Sequence, residues 1–447
     1  MQRAEGQLVT PGHSKSSSPL TSIHKVRSLF APLGRPTSWG DIVRRNLWIG
    51  PLLALVSLAF VGFWLRLRIE QAMQMQAEEE LRALLDADVT ALTIWLRSEE
   101  ANASTAAQAA PIRQPVLELA KLTSAGEPTA AALLAAPQKA QLDHALQHWL
   151  KLHGYAGYAV FDRQARVLAA TNDHLVGQKV AVPGDTTFVE TVFSGRALVS
   201  RPFPSFSLIE DEWGQLSAGV PTMFAAAPLK NHDGLVVAAL ALRIRPDQQF
   251  TRILNVARYG KSGETYAFDR RGVLLSRTRF EDQLKQLGLL ADQPRSRSLL
   301  AVEIRDPGVD MTKGHRPEQR RSEQPLTHLA SEAVSGRSGV DVEGYRDYRG
   351  VESIGAWTWL PEYGMGVGTE IDKVEAFRPM GILRAAFWTL FGLLAAAAIL
   401  LFVLTLVTGR LDRRVREATI AAGQLGQYAL EQKIGQGGMG SVYRGRH

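Results

Sequence analysis

Two long uncharged runs constrain this chain more than any other feature of its sequence. They occupy residues 47–65 and 385–409. A helix of about 20 apolar residues crosses the roughly 30 Å hydrocarbon core of a bilayer, and it satisfies its own backbone polar groups there. Trp48, Trp64 and Trp388 lie near the ends of the runs, where amphipathic rings prefer the membrane interface. The sequence therefore predicts two transmembrane helices.

The leader before the first run is polar and basic. A cleaved signal peptide is the alternative to an anchor, but a leader of 46 residues is too long, and no small-x-small cleavage site follows before Arg66. Residues 9–40 are rich in Ser, Pro and Gly, and the leader 1–46 is predicted to be disordered. Its basic residues are Arg3, Lys15, Lys25, Arg27, Arg35, Arg44 and Arg45.

The basic residues also predict the orientation of the chain. Lys and Arg are enriched on the cytoplasmic side of membrane spans, which places both termini in the cytoplasm and 66–380 outside it, although Arg66 and Arg68 weaken the bias. A net charge of +7 is compatible with nucleic acid, but because the clusters flank the apolar runs a membrane surface is favoured and no nucleic-acid partner is expected. The absence of cysteine excludes disulfides and thiolate metal sites. The second basic cluster is Arg410, Arg413, Arg414 and Arg416.

Residues 68–106 read as one helix that leaves the membrane. Leucines recur on one of its faces, at the spacing of an amphipathic helix. This face could pack on the chain's own domain or form a homodimer with a second copy, and the two interpretations are compatible. The leucines are Leu81, Leu85, Leu92 and Leu96.

An internal echo follows between the two runs. Residues 158–168 (YAVFDRQARVL) and 266–274 (YAFDRRGVL) each join an apolar strand to a second one through an Asp-centred turn. A further hairpin is predicted around Asn231–Gly234, between residues 224–228 and 235–238. Two α+β halves are therefore expected, at about 107–255 and about 256–380.

Four segments of the second half carry a family resemblance. Residues 260–269 (GKSGETYAFD), 344–350 (GYRDYRG), 355–362 (GAWTWLPE) and 369–372 (TEID) are similar to a double Cache sensor domain. The resemblance implies two PAS-like modules, each an antiparallel sheet, stacked along a long N-terminal helix. It also implies an extracytoplasmic sensor that takes a small ligand in the membrane-distal module.

The ligand itself is not predicted by the sequence. The Tyr…Arg-x-Trp-Tyr pattern of the family's amino-acid-binding version is absent. Tyr158, Arg201, Phe203 and Asp233 are the candidate pocket residues, because they fall near strands of the distal half. The alternative is that they are ordinary strand-edge and turn residues.

Two further features of the sequence are a pair of histidines and a polar segment. His144 and His148 have the i,i+4 spacing of two metal ligands on one helix face, but no third ligand is evident, so a solvated helix is favoured and no metal site is expected. Residues 306–327 are polar and contain proline, and they are predicted to form a surface loop.

A glycine-rich motif occupies the last twenty residues. The G-x-G-x-x-G-x-V pattern is complete at Gly435, Gly437, Gly440 and Val442. A Walker A loop would need Lys where Ser441 stands, and a Rossmann turn would run into a helix. The residues that follow the turn are β-branched and aromatic, so a second strand is predicted.

This motif resembles the start of a bacterial serine/threonine protein kinase of the eukaryotic-like type. The resemblance covers 428–447, after a juxtamembrane linker at 410–427, and implies ATP and Mg²⁺ as cofactors. Glycines at these positions let the backbone approach the triphosphate. The implied ATP-binding residues are Ile434, Gly435, Gln436, Gly437, Gly438, Met439, Gly440, Ser441 and Val442.

The reading that follows is an α+β, two-span receptor kinase of the bacterial inner membrane, which would sense a small extracytoplasmic ligand and phosphorylate cytoplasmic proteins. The kinase Val-Ala-Ile-Lys, His-Arg-Asp and Asp-Phe-Gly motifs do not occur in 428–447, so these 447 residues are expected to be a truncated, inactive piece. A non-catalytic receptor with the same sensor is the alternative. A histidine kinase or cyclase shares the sensor but not the glycine motif.

Overall fold

A computed structural model describes residues 49–124, 126, 128–179, 186–256, 260–422, 424–425, 427–437 and 440–447. The predicted leader, Trp48, Gly438 and Met439 lie outside the described residues. The chain divides into two compact units. One is Val61–Thr389, and of the other the structure describes 49–60 and 390–447.

Both predicted spans lie in long helices. Helix α1 runs from Ile49 to Gln108 and contains the described part of the first apolar run. A second long helix, Arg378–Ala422, contains the second run. Each has an apolar window long enough to cross a membrane, and no part of either window is buried against the described protein.

The part of α1 that follows the apolar run packs on the chain's own domain. Leu81, Leu85, Leu92 and Leu96 are at most 5% exposed and belong to the main hydrophobic core. The predicted helix and its leucine face are thereby confirmed, and their burial is what holds a helix of this length against the sheets. A homodimer through the other face of α1 stays a prediction.

The first module contains helices α2 (Ala110–Ser124), α3 (Ala130–Ala135), α4 (Pro137–His153) and α5 (Thr186–Phe193). Its sheet has the order β2-β1-β8-β7-β3, and β4 also pairs with β7. The strands are β1 (Gly157–Asp162), β2 (Val167–Ala170), β3 (Leu198–Val199), β4 (Phe203–Pro204), β7 (Pro221–Lys230) and β8 (Val236–Ile244). A small separate hairpin pairs β5 (Ile209–Glu210) with β6 (Leu216–Ser217).

The predicted turn between β7 and β8 is confirmed. Asn231 Oδ1 accepts hydrogen bonds from the backbone N–H groups of Asp233 and Leu235. Gly234 has a φ of +80°, a conformation that costs a residue without a Cβ little. These contacts close the hairpin and set the register of the two longest strands in the sheet.

The second module follows α6 (Gln249–Leu254) and is built on the sheet β10-β11-β12-β9. Helices α7 (Glu281–Gln286) and α8 (His328–Val334) cover the sheet face that α1 does not. The predicted loop 306–327 contains two short 3₁₀ turns and, at Leu326, an isolated bridge to Arg305. The strands are β9 (Glu264–Phe268), β10 (Gly339–Arg346), β11 (Glu352–Leu360) and β12 (Met365–Asp372).

The internal echo holds for the turn and only partly for the strands. Asp162 Oδ1 accepts from the N–H groups of Gln164 and Arg166, and Asp269 Oδ1 accepts in the same way from Arg271 and Val273. The first copy forms the hairpin β1–β2. The full second strand predicted for the second copy does not form, because Leu274 makes only an isolated bridge with Phe268 and its backbone also hydrogen-bonds to Leu300 and Val302.

The end of the chain joins the second module to a small sheet. Helix α9 (Lys373–Ala376) connects β12 to α10 (Arg378–Ala422). After α10 the chain forms the antiparallel order β13-β14-β15, with β13 at Gln424–Leu425, β14 at Tyr428–Gly437 and β15 at Gly440–Arg446.

Candidate ligand-binding face and glycine hairpin

The two faces of the first sheet have different surroundings. Residues paired across antiparallel strands point to the same face, and successive residues alternate. Tyr158 pairs with Leu242, so both lie on one face, and Tyr158 is hydrogen-bonded to α4. Gly157 pairs with Arg243 and Phe224 pairs with Arg243, so these residues lie on the opposite face.

Tyr158 is held on the helix-packed face by a polar network. Its hydroxyl donates to Asp143 Oδ1 over 2.5 Å. The buried ammonium of Lys139 pairs with Asp143 and Asp173 at 2.7 and 3.1 Å. Burial, and then the Asp143 carboxylate, raises the pKa of the Tyr158 hydroxyl. Tyr158 therefore joins β1 to α4 in this structure.

The opposite face carries an aromatic pair beside a cation. Phe203 lies 5.9 Å from Phe224 between ring centroids, and Phe203 pairs with Thr222 in the sheet. Arg243 Nε donates to Thr222 Oγ1 over 3.3 Å, and its Nη2 donates to the carbonyl of Glu210 over 3.2 Å. We call this surface the ligand face and define it by Phe203, Thr222, Phe224 and Arg243.

Arg243 is short of negative partners on that face. Within the described part of the chain, no carboxylate lies within ion-pairing distance of its guanidinium, and its two hydrogen-bond acceptors are neutral. Burial, and then the neighbouring Arg245, lowers the pKa of Arg243 to about 10, although the more distant carboxylates of Glu210 and Asp247 partly oppose this. A partly desolvated guanidinium of this kind favours a carboxylate or other small anion.

Small side chains continue the ligand face toward the middle of the sheet. Ala159, Ala226 and Ala241 are register neighbours across three strands and are at most 5% exposed. Helix α5 covers this side, with Phe193 packed edge-on against Phe161 at 5.9 Å. The middle of this sheet face is therefore buried apolar surface packed under α5, next to Arg243.

The other two predicted pocket residues lie elsewhere. Arg201 Nη1 is 3.9 Å from Asp269 Oδ2 of the second module, so it bridges the modules. Asp233 occupies the exposed β7–β8 turn, where its carboxylate accepts from the Asn231 side chain. The structure thus disperses the four predicted residues over four places, and of them only Phe203 lies on the ligand face.

Sequence reasoning missed Thr222 and Arg243. A signal was present, because Arg243 interrupts the apolar run of β8. Strand alternation would have placed it on the face opposite Leu242. What the sequence did not show is that β4 pairs with β7 and brings Phe203 to the same face.

The histidine pair lies on α4, outside this face. His144 borders an open groove of about 340 Å³ between α2 and α4, together with Gln114, Glu118 and Gln141. Within the described residues, no three His, Cys, Asp or Glu side chains are grouped closely enough to hold a metal ion.

The glycine motif forms a hairpin. Gly437 pairs with Gly440, and Gly435 pairs with Val442, across β14 and β15. The predicted second strand is confirmed, and the Rossmann alternative, which needs a helix there, is excluded. A Cβ built on Gly435, Gly437 or Gly440 meets no atom within 4 Å, so their hairpin surface is open. Ile434 and Val442 are exposed large apolar residues beside it.

Comparison with known proteins found similar solved structures at low sequence identity. No protein-family model matches the chain, and no curated protein matches it. The solved structures similar to it include the sensor domain of the Vibrio cholerae histidine kinase DctB, at 14% identity and a TM-score of 0.38, covering 68% of this chain and 98% of that one. At 12% identity and a TM-score of 0.37, the ligand-binding domain of the Pseudomonas aeruginosa amino-acid chemoreceptor PctB, in complex with L-Arg, covers 68% of this chain and 98% of its own.

A third similar structure is the ligand-binding domain of the Campylobacter jejuni chemoreceptor Tlp3 with 4-methylisoleucine. Its identity is 11% and its TM-score 0.38, with 68% of this chain and 94% of that one covered. These similar structures are sensor or ligand-binding domains of a histidine kinase and of chemoreceptors. At such identities, neither ligand nor output passes from them to this chain.

Proposed function

We propose that this chain is the sensing and membrane-anchoring part of a receptor-type serine/threonine kinase of the bacterial inner membrane. The observation that carries the proposal is the glycine hairpin after the second apolar helix. Two paired strands, β14 and β15, follow α10 within the last twenty residues and contain Gly435, Gly437 and Gly440. This is the arrangement that covers the phosphates of ATP in protein kinases.

The hairpin has the surface that nucleotide binding requires. Gly435, Gly437 and Gly440 have no atom within 4 Å of the Cβ position, so a triphosphate could reach their backbone N–H groups. The exposed side chains of Ile434 and Val442 offer apolar area for an adenine ring. Phosphoryl transfer also needs a lysine, a catalytic base and Mg²⁺ ligands, so it is proposed for a longer protein in which those residues follow.

The position of the two long helices supports the receptor topology. The whole of both sheets lies between α1 and α10 in the chain. Two crossings would keep those sheets on one side of the membrane and return the hairpin to the side of the leader. The sheets would then be extracytoplasmic, and the hairpin would meet cytoplasmic ATP and protein substrates.

The proposed ligand site is the ligand face of the first module. Arg243 supplies a partly buried cation without a carboxylate partner among the described residues, and Phe203 and Phe224 supply apolar area beside it. The chemistry fits a small organic anion with an apolar part. This set replaces Tyr158, Arg201 and Asp233, whose side chains the fold uses elsewhere.

The gene sequence directly after residue 447 tests the kinase proposal. If counterparts of Val-Ala-Ile-Lys, His-Arg-Asp and Asp-Phe-Gly follow in frame, the extended protein should transfer phosphate from Mg-ATP to Ser or Thr. If they do not, the proposal fails and a non-catalytic receptor becomes the better function. The sensing proposal is tested separately, by ligand binding to the present chain.

A further inference from the structure

Buried carboxyl groups lie against both faces of strands β9 and β12 in the second module. Glu264 pairs with Glu370, and the next pair along the ladder is Thr265 with Thr369. Successive residues of a strand point to opposite faces. The glutamates therefore point into the core under α7 and α8, and the threonines point toward α1, where Asp88 lies against Thr265.

On the core face, Glu370 is surrounded by hydroxyl groups. The hydroxyls of Tyr266 and Tyr345 donate to its two carboxyl oxygens over 2.7 and 2.8 Å. Glu370 is 4% exposed and has no ion pair among the described residues. Its pairing partner Glu264 accepts from Tyr348 and Thr278 in the same way. This arrangement places two carboxyl groups side by side without a cation between them.

Positive charge is close but already engaged. The Arg349 guanidinium pairs with Asp347 and Asp372 at 2.7 and 2.6 Å and stacks over Phe280. From α8, the titratable group nearest this cluster is His328, whose ring lies 5.6 Å from that of Tyr345 and 3.5 Å from Asp341 across an Nε2–Oδ2 contact. Glu370 is thus faced by Glu264 and Tyr266 from β9, Tyr345 from β10, and Asp347 from the β10–β11 turn.

On the helix face, Asp88 is buried without full hydrogen bonding. It lies on α1, is 4% exposed, and its Oδ2 atom has no hydrogen-bond partner among the described residues. The Thr265 hydroxyl lies beside it, and Asp88 forms no ion pair among the described residues. An ionised carboxylate in such a place is costly, whereas a protonated one is tolerated.

Burial raises the pKa of both groups. The pKa of Glu370 rises from 4.5 to about 8, through burial first and then the charge of Asp347. The pKa of Asp88 rises from 3.8 to about 6 through burial, which Thr265 partly offsets. Since the folded state holds these protons more tightly than the unfolded chain, both groups stabilise the fold at low pH. That stability is lost as pH rises, between 3.8 and 6 for Asp88 and between 4.5 and 8 for Glu370.

We propose that the second module is a proton-responsive element, in which Asp88 takes up a proton to tighten the packing of α1 on β9 and β12, Glu370 takes one up to tighten the packing of α7 and α8 on the other face of these strands, and release of the protons loosens both. The responsive strand leads directly to the membrane, since β12 ends at Asp372 and α10 begins at Arg378. The element is a second input, separate from the ligand face, and does not depend on a ligand binding there.

The test uses the full chain in lipid nanodiscs, with melting temperature measured from pH 4 to pH 9. The wild type should lose thermal stability steadily as pH rises to 8. Glu370→Gln, which mimics the protonated carboxyl, should abolish the loss between pH 6 and 8. Asp88→Asn should reduce the loss between pH 4 and 6 and leave the upper part unchanged. The exposed Glu343→Gln serves as the matched control and should retain the whole profile.

A second measurement follows the packing itself. The chain contains no cysteine, so spin labels can be placed at Ala91→Cys on α1 and Glu343→Cys on β10. Their distance should increase between pH 5 and pH 9 in the wild type and stay at its pH 5 value when Glu370→Gln and Asp88→Asn are combined. A pH profile that both substitutions leave unchanged overturns the proposal. If the variants fail to fold, infrared titration of the wild type decides, and absence of a protonated carboxyl band at pH 7 overturns it.

Discussion

Tyr158 and Asp143 are joined by a hydrogen bond of 2.5 Å that ties strand β1 to helix α4. The acceptor is a carboxylate that also pairs with the buried ammonium of Lys139. A side chain engaged in this way has little freedom to turn toward a ligand on the other face of the sheet. The contact therefore gives Tyr158 a structural role, apart from the ligand-binding role proposed for the ligand face.

Replacing this tyrosine should affect stability and spare ligand binding. Tyr158→Phe removes a hydrogen bond to a charged group, which should lower the free energy of unfolding by about 1.5–3 kcal/mol. Asp233→Ala is the matched control on the exposed turn and should change it by less than about 0.5 kcal/mol. Denaturant unfolding of the purified protein measures both. A loss of ligand affinity in Tyr158→Phe at unchanged stability would return Tyr158 to the binding site.

The ligand face should bind a small organic anion. A ligand that binds only the folded chain raises its stability by about 2.7 kcal/mol at a hundredfold excess over Kd. A thermal-shift screen of monocarboxylates, dicarboxylates and amino acids should therefore find compounds that raise the melting temperature. Failure of every anion in such a screen would remove the support for this site.

Arg243 should carry most of the affinity for that anion. Arg243→Gln removes the cation and should weaken binding by about a hundredfold, since truncating one partner of a desolvated charge pair costs on the order of 2–5 kcal/mol. Arg243→Lys should recover part of the affinity, and Arg245→Gln, two residues along the chain, should leave it unchanged. Calorimetric titration with the best compound from the screen measures all three. Equal losses in the Arg243 and Arg245 variants would indicate a non-specific field effect.

Labelling in intact cells should reveal the topology. A cysteine at Gln164, in the exposed β1–β2 turn, should react with a membrane-impermeant maleimide. A cysteine at Gln432, on the exposed hairpin strand β14, should react only after the membrane is opened. The opposite pattern would invert the chain and remove the receptor proposal.

If the hairpin covers a triphosphate, its glycine positions should not tolerate a β-branched side chain. In a protein extended through the kinase motifs, Gly437→Val or Gly440→Val should reduce phosphotransfer by at least tenfold, because a Cβ blocks backbone approach and Gly440 has a φ of +140°. Gln436→Ala, between two of the glycines, is the control and should stay active. The 447-residue chain alone should incorporate no phosphate, and autophosphorylation by it would show catalysis at an unrecognised site.

The sequence predicted the repeating parts of the fold better than the site. Helical periodicity identified the buried leucines of α1, and turn chemistry identified Asn231 and the two Asp-centred turns, because these depend on residues close in the chain. The ligand face depends on β4 returning to β7, a pairing of Phe203 with Thr222 that no local pattern encodes. The second strand predicted for the echo is absent for the same reason, since the backbone of Leu274 hydrogen-bonds to Leu300 and Val302, which are distant in the sequence.

Glu375, on the short helix α9, should stabilise the C-terminal end of the second module. Glu375 accepts from the backbone N–H groups of Lys261 and Ser262, each over 2.8 Å, and from the Ser262 hydroxyl over 2.5 Å. Burial raises the pKa of Glu375, but the hydrogen bonds from Ser262 and Lys261 outweigh it and hold that pKa below its usual value. Its contribution is therefore present above pH 4.5 and lost as the pH falls further.

Glu375→Ala should accordingly lower the free energy of unfolding by about 1–2 kcal/mol at pH 7, and by less at pH 4. Unfolding of the full chain at the two pH values measures the difference, with the exposed Glu343→Ala as control. An equal loss at both pH values would contradict a role for the charge of Glu375.

The connection between the second module and helix α10 is short. Only 373–377 separate the last residue of β12 from the first of α10, four of them are already coiled into α9, and Asp372 is anchored to Arg349. A connection that short cannot unwind to absorb a displacement of the strand. A shift of β12 by one residue, about 3.3 Å along its axis, would therefore displace Arg378 by a similar distance. The junction would transmit the position of the strand to the start of α10.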